Sequence, residues 1–290
     1  MKRILMASDL TVQSDRALQR AIALAVQTGA QLKVLNVIDE TLAGPIARKH
    51  EEAAREALAD QIAAAPGAKS IGVSQEVIRG VGYRDIMAQA EEWDADLIVL
   101  GIHRHTGREM FRGTTSERIV RYGSRPVLVV KDAVGSAYKS ALAAVDLSCH
   151  SLAAVRAATQ LVPRGQIYIV YSAHRPFSAF LGRSSQDQIV RAQHAHFSAE
   201  MAGFVKRLTS ELGEAAPKFE FIKTEGVIEN VMRRLASELK PDVIAVGTHG
   251  RGALAQAVIG SVAEDLLADA PADVLTVKAA MATADAPAAE

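Results

Sequence analysis

The sequence predicts an α/β fold made of two tandem copies of an open, mostly parallel, five-stranded sheet flanked by helices. Three observations lead to this prediction. The chain has 290 residues, a length typical of two domains. It matches itself at an offset of about 146 residues. Within each copy, short apolar runs alternate with longer amphipathic stretches, a pattern typical of βαβ units around a parallel sheet.

The internal repeat gives the predicted domain boundaries. The matched features are, in chain order, Asp9 with Asp146, residues 94–101 with 240–247, Gly113-Thr114 with Gly260-Ser261, Glu117 with Glu264, and residues 126–131 with 273–278. The offset rises from 137 to 147 along the chain, so the second copy carries about ten extra residues, which we place within Arg175–Leu212. The predicted domains are 1–133 and 134–278, followed by a tail (279–290) that we predict to be disordered.

In the first copy, runs of Val, Ile and Leu predict five strands, because such residues favour buried strands of a parallel sheet. The strands are Arg3–Ser8, Gln31–Val37, Val73–Arg79, Leu97–Leu100 and Val127–Val130. Apolar residues at helical spacing from Leu18 to Ala25 predict a helix over Ser14–Thr28, with Gly29 as its C-cap. An Ala- and Glu-rich stretch predicts a second helix over Ala47–Ala64.

The second copy repeats this order. Its predicted strands are Ala141–Val145, Ile167–Tyr171, Phe219–Lys223, Val243–Val246 and Val274–Val277. A helix is predicted over Val262–Ala270, with Ser261 as its N-cap or a first-turn residue. The extra segment is predicted to be helical, either as a helix pair that covers the sheet or as a lid or partner surface. Its phenylalanines are Phe177, Phe180, Phe197 and Phe204.

Composition excludes several classes of protein. Lys+Arg and Asp+Glu number 33 each, so the chain lacks the basic excess of a protein that coats nucleic acid. The single cysteine, Cys149, rules out an internal disulfide and a cysteine-rich zinc scaffold. The start of the chain reads as a strand and not as a signal peptide, and no apolar run approaches the ~20 residues that span a bilayer. We therefore expect a cytoplasmic protein that binds neither membrane nor nucleic acid.

A glycine-rich loop follows the fourth strand of the second copy, where ligands bind in parallel sheets. Gly247, Gly250 and Gly252 would let the backbone turn tightly and approach a ligand. The helix that starts after Gly260 would offer unpaired N–H groups to phosphate. The alternative is that these glycines are ordinary turn residues. The aspartates that end the first strands, Asp9 and Asp146, have a similar alternative as helix N-caps or turn residues.

The spacing G-x2-G-x9-G-S from Gly247 to Ser261 resembles the universal stress protein family, whose ATP-binding members carry G-x2-G-x9-G-[S/T]. The resemblance covers both copies. It implies a Rossmann-like fold of the adenine-nucleotide α-hydrolase type, ATP with Mg²⁺ as ligand, and an internal pseudo-dimer packed through the closing strands, with pairing of two chains as a further option. The site residues it implies are Asp146, Ser172, Val246, Gly247, His249, Gly250, Gly260, Ser261 and Val262.

The first copy departs from this pattern. Arg104 stands where the second glycine belongs, and its loop is one residue shorter. Arg104 would either add a cation for phosphates or fill the pocket itself. The corresponding candidate residues are Asp9, Val37, Gly101, His103, Gly113 and Thr114. We predict that nucleotide binds mainly in the second copy, so that Gly260→Val abolishes binding and the matching change at Gly113 matters less.

Motifs for several other chemistries are missing. The sequence has no GxxxxGK[ST], no GxGxxG after a first strand and no GxSxG. Ser148, Cys149 and His150 are adjacent, which does not make a triad, and the histidine pairs 103/105 and 194/196 are two apart, a poor spacing for a metal on a helix. We expect a stress-response regulatory protein that binds ATP, with little or no hydrolysis, and acts through an unidentified protein partner. The alternatives are a slow ATPase whose base is Asp146 or His249, and a nucleotide-free scaffold.

Overall fold

A computed structural model describes residues 1–102, 113–135, 137–173, 183–249, 259–269 and 271–279. Its strands are β1 Arg3–Ala7, β2 Gln31–Asp39, β3 Val73–Gly80, β4 Leu97–Gly101, β5 Val127–Val130, β6 Ser140–Ala144, β7 Gln166–Ala173, β8 Lys218–Glu225, β9 Val243–Gly247 and β10 Asp273–Val277. Its helices are α1 Val12–Thr28, α2 Gly44–Ala64, α3 Gly82–Glu92, α4 Thr115–Tyr122, α5 Cys149–Leu161, α6 Arg183–Leu212, α7 Ile228–Leu239 and α8 Ser261–Ala268. Within these residues, no helix has the length and apolar content to cross a bilayer.

Every predicted strand is present, with ends that differ by one or two residues. Helix α1 begins two residues before its predicted start because the Thr11 side chain accepts a hydrogen bond from the Ser14 N–H and so caps the helix. It ends as predicted, at Gly29, which adopts a left-handed conformation (φ 69°) and donates its N–H to the carbonyl of Ala25.

The strands form one ten-stranded sheet rather than two separate ones. The order is β3-β2-β1-β4-β5-β10-β9-β6-β7-β8, and every neighbouring pair is parallel except β5 and β10. These two closing strands pair directly, with Leu128 opposite Leu275. Both strands are buried along their whole length, so their pairing protects apolar edges that would otherwise be exposed. The expectation that the two halves pack through their closing strands is confirmed.

Helices cover both faces of the sheet and create two hydrophobic cores. Helices α1, α2, α5 and α6 bury their apolar side chains on one face. Helices α3, α4, α7 and α8 do so on the other face. The carboxyl ends of the parallel strands in each half therefore open between two helical layers, which is where an α/β sheet holds ligands.

The extra segment of the second half contains one long helix in its described part, rather than a helix pair. Helix α6 has 30 residues and packs on β7 and β8. Phe197 is fully buried and Phe204 nearly so, which places both in the core and not on a partner surface. Phe177 and Phe180 lie outside the described residues.

A buried polar cluster joins the two halves. The Asp273 carboxylate, at the start of β10, lies 3.5 Å from the Arg20 guanidinium of α1 and accepts a hydrogen bond from the Tyr138 hydroxyl at 2.5 Å. The Arg20 guanidinium also lies 3.9 Å from the centre of the Tyr138 ring. Burial raises the pKa of Asp273, while its hydrogen bonds and Arg20 act in the opposite direction. The cluster ties the first helix and the connecting segment to the last strand.

Candidate ligand-binding site

A cavity of ≈ 360 Å³ lies at the carboxyl ends of the second-half strands, a volume within the range of small-molecule sites. The predicted residues that line it are Asp146, Ser172, Val246, Gly247, His249, Gly260, Ser261 and Val262. Gly250 and Gly252 lie outside the described residues. The sequence motif and the ends of three strands therefore converge on one concave surface.

Six residues that sequence reasoning missed also line this cavity. They are Ala144, Val145, Ser151, Tyr171, Ile228 and Ala263. The internal repeat could have indicated Ser151, because Ser151 matches Ser14 at the same offset that relates Asp146 to Asp9. Nothing in the sequence indicated Ile228, since the start of α7 reaches the cavity only through the tertiary fold.

The strand-end aspartates organise the turns that lead into the next helices. Asp146 accepts a hydrogen bond from the Ser148 N–H at 3.0 Å, and Ser148 caps α5. Asp9 accepts from the Thr11 N–H and hydroxyl and from the Ser14 hydroxyl. The aspartates are therefore turn residues, and the N-caps are Thr11 and Ser148. Each aspartate shapes the turn before the cap and lines its cavity.

Two glycines of the motif allow backbone packing. A Cβ on Gly247 would lie 2.8 Å from the Ser151 nitrogen, and one on Gly101 would lie 2.7 Å from the carbonyl of Gln13. Such distances are too short for real Cβ atoms, so each strand end requires glycine to pass the first turn of the helix packed on it. This packing brings the Asp146 turn beside the motif loop. It gives these glycines a second role besides the predicted approach of the backbone to a ligand.

The two halves differ at the helix that follows the glycine loop. Helix α8 begins after Gly260, which provides no side-chain cap, and the residues of its first turn (Ser261, Val262 and Ala263) line the cavity. In the first half, the Thr114 side chain caps α4 by accepting from the Glu117 N–H. Within the described residues, no N-cap side chain therefore accepts a hydrogen bond from the first turn of α8.

The Glu117 carboxylate also binds a backbone N–H group at the start of α4. It accepts a hydrogen bond from the Gly113 N–H at 3.3 Å, and Glu117 is only 5% exposed. A negative charge at this position satisfies the helix dipole from within the protein. By helix position, Thr114 and not Gly113 corresponds to Gly260, because each is the N-cap residue of its helix.

The first half has a smaller inner cavity. Asp9, Val37 and Gly101 line a space of ≈ 170 Å³. An adjoining cavity of ≈ 400 Å³ is lined by Asp9, Gly101, Gly113 and Thr114 among others. His103 and Arg104 lie outside the described residues, so the two interpretations of Arg104 remain predictions.

Two histidines lie side by side at the second-half site. The rings of His150 and His249 are 5.1 Å apart, and His249 lines the cavity. His150 Nδ1 accepts a hydrogen bond from the Ala279 N–H at 2.9 Å, so the neutral ring carries its proton on Nε2. Burial lowers the pKa of His150; Lys278 acts in the same direction and Asp146 opposes it. Within the described residues, no group of three or more His, Cys, Asp or Glu side chains converges on a possible metal position.

This arrangement predicts a pH effect on stability. Because the folded state lowers the pKa of His150 below its usual 6.5, the folded protein binds fewer protons there than the unfolded chain. The contribution of the neutral His150 ring to the free energy of unfolding is fully present above pH 6.5. It is lost as the pH falls below that value. We expect the melting temperature of the wild type to fall more between pH 8 and pH 5.5 than that of His150→Asn, by about 1–2 °C. Asparagine keeps an acceptor for Ala279, so equal falls in both proteins would contradict the prediction.

Comparison with known proteins agrees with this architecture. The sequence pattern of the universal stress protein family matches residues 1–131 and 137–278. A Staphylococcus aureus relative named as a universal stress protein is 27% identical over 159 residues, which cover 51% of this chain and 89% of the relative. The chain shares its fold with a universal stress protein from Archaeoglobus fulgidus (TM-score 0.68, 19% identity, 95% of this chain and 96% of that one). It also shares its fold with a Pseudomonas aeruginosa protein of unknown function (TM-score 0.60, 19% identity, 96% and 92%). This chain belongs to the universal stress protein family, with two family domains in tandem.

Proposed function

We propose that this protein is a stress-response regulator that binds ATP in the second-half cavity and hydrolyses it slowly or not at all. One observation carries the proposal. The first turn of α8, which lacks a side-chain cap, opens onto a largely apolar cavity whose wall also includes the carboxylate of Asp146. A nucleotide needs these three features together, for its phosphates, its base and its sugar.

Each part of the nucleotide has a matching group. The N–H groups of Ser261, Val262 and Ala263 suit phosphate oxygens, since helix N-termini attract anions. Gly260 has no side chain to obstruct them. Asp146 is an acceptor for ribose hydroxyls, a role that the family resemblance also implies. Mg²⁺ enters the proposal with the nucleotide, because it binds mainly through phosphate oxygens and water.

We propose that the first half binds nucleotide more weakly than the second half. The Thr114 side chain already accepts a hydrogen bond from the Glu117 N–H at the start of α4, and the Glu117 carboxylate accepts one from the Gly113 N–H. The inner, mainly apolar cavity beside Asp9 is smaller than the second-half cavity, and the larger cavity that adjoins it has a more polar lining. We therefore expect one strong nucleotide site in each chain.

The first test is to denature the freshly purified protein and quantify any released nucleotide by mass spectrometry, followed by calorimetric titration with Mg-ATP. We expect about one ATP per chain. Asp146→Ala should weaken binding roughly ten- to hundredfold, because it removes hydrogen bonds to a charged acceptor. Asp9→Ala is the matched control and should change the affinity of the strong site less than twofold. Equal losses from the two variants would contradict the assignment to the second half.

The same measurements separate the alternatives. Release of ADP, together with turnover above about 1 per second, would favour an ATPase, with Asp146 or His249 as its base. Absence of nucleotide and of any heat with millimolar Mg-ATP would overturn the proposal and leave a nucleotide-free scaffold. A protein partner that senses the bound state, pairing of two chains and a cytoplasmic location stay predictions of the same proposal.

A further inference from the structure

We infer that Tyr171 is the base-stacking residue of the second-half cavity and makes this site selective for purine nucleotides. The inference rests on the proposed function and adds the class of base. It begins with a difference between the halves. Ala144 pairs with Val170, and the next residue, Tyr171, lines the cavity. The first-half pairing of Ala7 with Leu35 makes Asn36 its counterpart.

Asn36 does not form a cavity wall comparable to that of Tyr171. Its side chain is buried and donates a hydrogen bond to the Ser8 carbonyl at 2.8 Å. It lines neither of the described first-half cavities. A second difference lies at the start of the helix that follows the third strand of each half, where Gly82 in the first half corresponds to Ile228 in the second. At these two positions the second-half cavity is lined by Tyr171 and Ile228, whereas the first half has Asn36, which lines neither cavity, and Gly82.

The Tyr171 ring is held in place by the inserted helix α6. It stacks on Phe197 with ring centres 4.5 Å apart and an angle of 13° between the planes. The His194 ring packs edge-on against it, with ring centres 6.0 Å apart. Phe197 is fully buried, and its ring also meets Phe221 edge to face. A ring fixed in this way loses little freedom when a ligand stacks on it.

Polar contacts hold the elements around this ring. His194 Nε2 bonds the Thr224 carbonyl at 3.1 Å, and Lys223 Nζ donates to the Ser198 hydroxyl at 3.3 Å, so α6 is tied to β8. The Ser172 hydroxyl donates to the Gly226 carbonyl at 2.7 Å and so holds the turn that precedes Ile228. The two walls of the cavity, formed by Tyr171 and Ile228, are therefore held in place without a ligand.

This chemistry selects a flat, two-ring base. The strength of stacking increases with the area of contact between the side-chain ring and the base, so a two-ring purine gains more than a one-ring pyrimidine. Phosphates and ribose are common to all nucleoside triphosphates and are held at the far end of the site by α8 and Asp146. The base preference therefore depends on Tyr171 and is separable from overall affinity.

The experiment compares Mg-ATP with Mg-UTP, which shares the ribose and the triphosphate, by calorimetric titration of the full chain. For the wild type we expect ATP to bind at least about fivefold more tightly than UTP. Tyr171→Leu should weaken ATP binding about five- to hundredfold and bring the ratio of the two affinities close to one. Tyr171→Phe keeps an aromatic ring and should keep the ratio.

The ratio distinguishes stacking from a structural role, because partial unfolding would weaken both ligands equally. An unchanged ratio in Tyr171→Leu, or equal affinity of the wild type for the two nucleotides, would overturn the inference. If the wild type binds ATP and Asp146→Ala weakens it, the proposed function stands even when the Tyr171 inference fails. If the wild type binds neither nucleotide, the proposed function itself fails.

Discussion

Replacement of Asp273 by alanine should lower the free energy of unfolding by about 3–5 kcal/mol, because it removes one partner of a buried ion pair. Asp273 is only 1% exposed, and Arg20 is 5% exposed. The carboxylate also accepts hydrogen bonds from the Tyr138 hydroxyl and from the N–H groups of Lys131 and Asp132. Alanine would leave the buried Tyr138 hydroxyl and the buried Arg20 guanidinium beside a small void.

The measurement is urea denaturation followed by circular dichroism at neutral pH. Glu211→Ala is the control, since it breaks an ion pair with Arg156 in which both side chains are about half exposed. Such surface pairs contribute about 0–1 kcal/mol. A loss for Asp273→Ala that does not exceed that of the control would show that the cluster does not stabilise the junction between the halves.

Gly260→Val should reduce ATP binding more than a hundredfold while the protein stays folded. The backbone at Gly260 (φ −61°, ψ 148°) is a conformation that valine adopts readily. A Cβ there would lie 3.3 Å from the Thr248 carbonyl oxygen, so this backbone must move by a few tenths of an ångström to accept it. The added isopropyl group would stand over the N–H groups of the first turn of α8, where the phosphates are proposed to bind.

Calorimetric titration with Mg-ATP measures the effect, and Gly72→Val is the control because a Cβ at Gly72 meets no atom within 4 Å. A Gly260→Val protein that melts like the wild type and still binds one ATP would rule out the α8 site. Gly113→Val remains the predicted milder change for binding, but Gly113 has a φ of 80°. Valine there would add backbone strain of about 1–3 kcal/mol, so the Asp9 and Asp146 variants compare the halves more cleanly.

Much of the fold could be predicted because its signals are local. Apolar runs such as Val127–Val130 are buried wherever the sheet is formed, and Gly29 ends α1 by the conformation of its own backbone. The internal repeat then showed the apolar runs a second time, in the other half of the chain. The candidate site was predictable to the same extent, since the residues of the loop motif and Asp146 follow strand ends directly, and parallel strands end at the same edge.

The sequence by itself determined that two α/β domains lie in tandem and that a glycine-rich loop follows the fourth strand of the second domain. Only the tertiary structure decided that β5 and β10 join the halves into one sheet, that Asp273 meets Arg20, and that Tyr171 and Ile228 line the cavity. The physical reason is the range of the interactions. Strand and turn preferences act between neighbours in the chain, whereas strand pairing between domains and the walls of a cavity depend on residues that are distant in sequence and meet only after packing.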